Sequence, residues 1–193
     1  MVRALNDGYR RAIREASSSG QPSPLERIIP NEDAALSIAS KTTNLATEDC
    51  AAPYFATMFG YERVLNRLLD IGANPYAAAG WLGMTPLLAA AYSGRLSTVR
   101  VLIERKAARI DESSPFRIDH SGGPGPSFPY PSGWQTAIFW AAREGHEDVV
   151  RFLPEHGASV NTRSYGGITA LGMAKLMNRE SIIRLLISNG ATD

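Results

Sequence analysis

The sequence predicts an all-α fold, a solenoid of stacked antiparallel helix pairs with an N-terminal helical cap. Three observations carry that expectation. One type of segment recurs four times, the recurrences keep the same register at two separate anchors, and each copy holds two apolar stretches at helical period. At 193 residues and 44% apolar composition the chain is long enough to bury a core.

The elements follow in order. Residues 1–44 match no copy and read as a helical capping region. A helix is expected over about 4–16, then a break at "SSSGQPSP", then one or two short helices before Asn44. A solenoid needs such a cap because its first unit has no neighbour to cover its outer face. The copies are "CAAPYFATMFGYERVLNRLLDIGANP" (50–75), "MTPLLAAAYSGRLSTVRVLIERKAA" (84–108), "QTAIFWAAREGHEDVVRFLPEHGASVN" (135–161) and "ITALGMAKLMNRESIIRLLISNGATD" (168–193). Each has a short Ala-rich first helix, a break near Gly60, Gly94, Gly145 or Asn178, and a second helix with paired aliphatics. Val64-Leu65 with Leu68-Leu69, Val149-Val150 with Phe152-Leu153, and Ile182-Ile183 with Leu185-Leu186 form one apolar stripe per helix. Helix pairs are expected over about 50–72, 85–106, 137–156 and 170–190.

Spacing tests the likeness. Ala51, Thr85, Thr136 and Thr169 lie 34, 51 and 33 residues apart, and Ala73, Ala107, Ala158 and Ala191 repeat those intervals. With "GMTPLLAAAYSG", "TAIFWAAREGHEDVV", "GASVN", "GITALGMA" and "GAN" in register, the chain resembles the ankyrin-repeat family over roughly 45–193. The resemblance divides the array at about 45–78, 79–111, 112–162 and 163–193. It departs from the family pattern at Lys106, in place of the helix-ending glycine, at Pro154 inside a second helix, and at Asp49 in place of the turn glycine.

One interval of 51 residues against a unit of 33–34 means that about 18 residues are inserted, within 112–132. In ankyrin-like arrays that junction is the hairpin finger, so the insertion elongates one finger. The stretch "SGGPGPSFPYPSG" cannot form a regular helix. Its glycine and proline suit a tether, whereas Phe116, Ile118, Phe128 and Tyr130 suit a loop folded back over the groove.

The register also separates positions that hold the fold from those free to face a ligand in the family's concave groove. The free set is Met58, Phe59, Trp81, Leu82, Met84, Tyr92, Ser93, Tyr130, Trp134, Gln135, Arg143, Glu144, Tyr165, Ile168, Leu176 and Met177. Its apolar and aromatic character points to a partner. Met58, Phe59, Leu176 and Met177 read rather as packing between neighbouring helices than as contacts, and Trp140 reads as a structural aromatic between repeats.

Chemistry is sparse. Twenty basic and nineteen acidic residues nearly cancel, and no basic run interleaves with aromatics, which argues against a nucleic-acid surface. No phosphate-binding, nucleophile-elbow or zinc motif occurs, so neither cofactor nor metal is expected. The lone Cys50 fits a reducing compartment, and no run of 18 apolar residues occurs, so a soluble protein of the cytoplasm or nucleus is expected. His146 is explained by the turn between helices and His156 by the end of a helix. His120, beside Asp119 in the insertion, is left as an acid–base candidate. Two functions follow. The resemblance implies a binding module that holds a protein partner in its groove. The alternative is a small-molecule enzyme, a cyclase or isomerase acting on an apolar substrate, with 112–132 as a lid and His120 and Asp119 as its acid–base residues.

Overall fold

A computed structural model describes residues 52–79, 83–113, 135–164 and 166–192. The predicted cap at 1–44 and most of the insertion lie outside the described residues. Within them the chain forms four helix pairs: α1 (Ala52–Phe59) with α2 (Glu62–Asp70), α3 (Pro86–Tyr92) with α4 (Leu96–Glu104), α5 (Ala137–Glu144) with α6 (Glu147–Glu155), and α7 (Ala170–Leu176) with α8 (Glu180–Ser188). First helices stack on first helices along the series α1, α3, α5 and α7, and second helices stack likewise along α2, α4, α6 and α8. The result is the predicted all-α solenoid.

Local chemistry fixes where two of the first helices begin. Thr85 and Thr169 take extended backbone and cap α3 and α7, their hydroxyls accepting from the amides of Leu88 and Gly172 at 3.4 and 3.1 Å. Pro86 opens α3, where its missing N–H would have had no helical partner. Ala89, Ala90, Ala91, Ala141, Ala142 and Ala174 are fully buried. Their short side chains let the inner layer pack backbone against backbone, while Leu65, Val99, Leu102, Val149, Val150, Leu153, Ile182 and Leu186 fill the space toward the outer layer.

Two left-handed positions per unit make the turns. Between the helices of each pair stand Gly60, Gly94, Gly145 and Asn178, with φ of 73°, 65°, 98° and 54°. After each second helix stand Gly72, Lys106, Gly157 and Gly190, with φ of 82°, 52°, 93° and 81°. Lys106, read as a departure from the pattern, therefore keeps the geometry of the glycine it replaces and carries the strain of a side chain there. Pro154 is likewise absorbed: α6 continues through it to Glu155.

Isolated antiparallel bridges, Ala79 with Met84 and Ser113 with Thr136, close the bases of two fingers. The Ser164 amide donates to the Ile168 carbonyl at 2.9 Å at the matching place in the last unit. The second bridge pairs residues that flank the inserted stretch, most of which lies outside the described residues.

Candidate functional site

Register aligns the residues just before each inter-helix turn into two rows along the array. One holds Met58, Tyr92, Arg143 and Leu176, and the other Phe59, Ser93, Glu144 and Met177. The residue after each turn completes the junction with the preceding unit. Arg95 Nε donates to the Met58 carbonyl at 3.3 Å, His146 Nε2 to the Tyr92 carbonyl at 2.9 Å, and an Arg179 guanidinium nitrogen to the Glu144 carbonyl at 3.1 Å. The acceptor at Tyr92 requires the proton on Nε2 of His146. Each of these basic side chains lies over the α-carbon of the previous turn glycine. A Cβ on Gly94 would sit 2.4 Å from His146 Nδ1, and one on Gly145 would sit 3.1 Å from the Arg179 guanidinium carbon. Glycine at the turn is thus needed twice, for its φ and for the neighbour that covers it.

The middle of the first row is the most developed part of the surface. Tyr92 stands edge-on to Trp140 with ring centroids 5.6 Å apart, Trp140 meets Phe139 edge-on at 6.2 Å, and the Arg143 guanidinium lies 5.3 Å from the Trp140 ring centroid. Trp140 is 5% exposed, while Tyr92 and Arg143 are half-buried and reach the surface. Burial, and then the carboxylate of Glu144, push the Tyr92 phenol above its ordinary value, with Arg143 pulling the other way. The phenol is therefore a neutral donor near pH 7. Arg143 also bonds the Glu144 carboxylate at 2.8 Å. Units two and three thus present one rigid phenol–indole–guanidinium cluster.

The other predicted residues divide. Met58 Sδ accepts from the Ser93 hydroxyl at 3.1 Å across the first junction, and Phe59 stacks on Tyr61 at 5.5 Å, so these two sit as packing residues with partly exposed edges. Met84 corrects an expectation. It is 2% exposed and paired with Ala79, because the finger folds its side chain into the core instead of toward the groove. Gln135 is buried at the finger base as well. Trp81, Leu82, Asp119, His120, Tyr130, Trp134 and Tyr165 lie outside the described residues. His156 is structural, its Nδ1 within 2.9 Å of the Phe152 carbonyl and its ring stacked on Phe152.

Sequence reasoning missed two features. The row Arg95, His146 and Arg179 repeats the 51- and 33-residue intervals and could have been found from them. Glu112 leaves no periodic signal. Its carboxylate accepts from the Thr85 hydroxyl beneath the second finger, its other oxygen is buried without a hydrogen-bond partner among the described residues, and burial raises its pKa against the pull of the Thr85 bond.

Residues 138–187 match the family model of ankyrin repeats in many copies, and residues 82–114 match that of the single ankyrin repeat. The chain belongs to the ankyrin-repeat family. The array is 35% identical over 137 residues to a mouse protein named ankyrin repeat and SAM domain-containing protein 6, and to its rat counterpart. The chain as a whole is 24% identical over 186 residues to a Caenorhabditis elegans homolog of transient receptor potential cation channel subfamily A member 1. These matches cover 70% and 96% of this chain but only 14% and 13% of the relatives, which are far longer. Among the described residues of the array no helix is long and apolar enough to cross a membrane, and no three His, Cys, Asp or Glu side chains gather to hold a metal ion.

Proposed function

We propose that this ankyrin array is a protein-interaction module that holds a partner protein along its first-helix rows, with Tyr92, Trp140 and Arg143 as the central anchor. The carrying observation is the cluster itself: a phenol and a guanidinium, each half-buried, held in place by a buried indole at the junction of units two and three. Aromatic and arginine side chains fixed by their surroundings lose little conformational freedom on binding, and they dominate interface energetics. Ser93 and Glu144 on the parallel row supply polar contacts at the rim. The enzyme reading rests on His120 and Asp119, and it finds no support in the described residues.

The test is affinity capture with quantitative mass spectrometry, comparing the wild-type chain with Tyr92→Ala, Arg143→Ala and a control, Arg100→Ala, on the exposed side of α4. A partner that uses this surface is lost from the first two variants and retained by the third. Removal of a central anchor costs about 2 kcal/mol or more of binding free energy, a drop of roughly thirtyfold. Equal retention of captured proteins by all four chains, with melting temperatures showing them folded, overturns the proposal.

A further inference from the structure

The array sorts its charges by layer. Among the described residues, the first helices and the turns that follow them carry Arg95, Arg143, Lys175 and Arg179 against one carboxylate, that of Glu144. The second helices carry five arginines and seven carboxylates. The first-helix layer is therefore positive although the chain as a whole is nearly neutral. Around Tyr92 the excess is not offset locally: α2, α6 and α8 each place an acid in their first turn, whereas α4, which follows Tyr92, places none. A surface of one sign favours a partner segment of the other sign.

The centre of that layer also holds donors without acceptors. Trp140 Nε1 is buried with no hydrogen-bond partner, and the Tyr92 hydroxyl makes no hydrogen bond among the described residues. Buried polar groups are nearly always paired, so an orphaned indole N–H beside an unpaired phenol marks a place built for an acceptor. The Arg143 guanidinium lies over the same indole and bonds Glu144 through one nitrogen, and its fork of five N–H donors can take a second carboxylate. We propose that the partner segment is acidic, and that one of its Asp or Glu side chains seats its carboxylate between Tyr92 and Arg143, accepting from the phenol and the guanidinium. This rests on the reading of the same surface given above and adds the chemistry of what it holds. A neutral acceptor, such as a backbone carbonyl, would satisfy the phenol and leave the positive charge of the layer uncovered.

The probe is a displayed library of random peptides, selected on the whole chain and counter-selected on Tyr92→Ala, with melting temperatures showing both folded. Peptides that depend on Tyr92 should be enriched in Asp and Glu. In a selected peptide, exchange of the anchoring acid for its amide should weaken binding about tenfold to the wild-type chain, and hardly at all to Arg143→Gln. Tyr92→Phe, which removes only the hydroxyl, should weaken the acidic peptide about fivefold and its amide counterpart less. Tyr92-dependent peptides without an enriched acid would overturn the proposal and leave the binding surface standing. An acid-to-amide cost that is the same in wild type and Arg143→Gln would overturn it as well. Selected peptides that Tyr92→Ala and Arg143→Gln both bind as tightly as wild type would sink the reading of the surface itself.

Discussion

Replacing Gly94 by alanine tests the turn argument at its tightest point. The substitution places a Cβ on a residue with φ of 65°, 2.4 Å from His146 Nδ1. The left-handed backbone costs a non-glycine residue about 1–2 kcal/mol. The imidazole must also move, which breaks its bond to the Tyr92 carbonyl, worth about 0.5–1.5 kcal/mol. Reduced freedom of the unfolded chain returns about 0.4–1 kcal/mol. The net expectation is a loss of about 2 kcal/mol, or a fall in melting temperature of roughly 4–8 °C for a chain of this size. Gly157→Ala is the internal control, since its φ is 93° and its Cβ would meet nothing within 4 Å. It carries the backbone strain alone and should cost about 1 kcal/mol. The assay is urea denaturation followed by circular dichroism, run on Gly94→Ala, His146→Ala, the double variant and Gly157→Ala. With His146 already removed, Gly94→Ala should cost no more than Gly157→Ala. If Gly94→Ala costs the same with and without His146, the two residues are not coupled, and the account of the basic row as the reason for turn glycine fails.

Two further outcomes follow from single positions. Lys106→Gly should stabilise the array by about 0.5–1 kcal/mol, because relief of left-handed strain exceeds the entropy glycine loses on folding, and a lower urea midpoint would refute this. Burial holds the folded-state pKa of Glu112 above its unfolded value, so the stability it contributes is present at low pH and is lost as pH rises through the folded pKa. Glu112→Gln keeps an acceptor for Thr85 without the charge; it should match wild type near pH 4 and be at least as stable at pH 7, and a clear loss at pH 7 would show that the ionised form is the one the fold favours.

The fold was legible because each unit repeats the same local physics. Threonine caps, buried alanines, a turn glycine and an aliphatic stripe recur at intervals that two anchors report independently, so pattern alone located all four helix pairs to within a few residues. The inserted stretch is marked in the sequence by an interval too long for its unit, and it lies mostly outside the described residues. The candidate site was only partly legible. Tyr92 and Arg143 were found from register, but Trp140, read as packing, is what holds them together, since a contact between residues 48 apart in sequence is made by stacking and not by period. Met84 went to the core because the finger bends its strand-like base inward, a choice of direction that the alternation of side chains does not encode. Lys106 shows the converse: its identity departs from the pattern, yet neighbouring units impose the left-handed turn regardless. Composition and period thus determined which helices form and in what order they stack. Tertiary structure decided which side chains the junctions bury, because each unit is covered by another that lies more than thirty residues away along the chain.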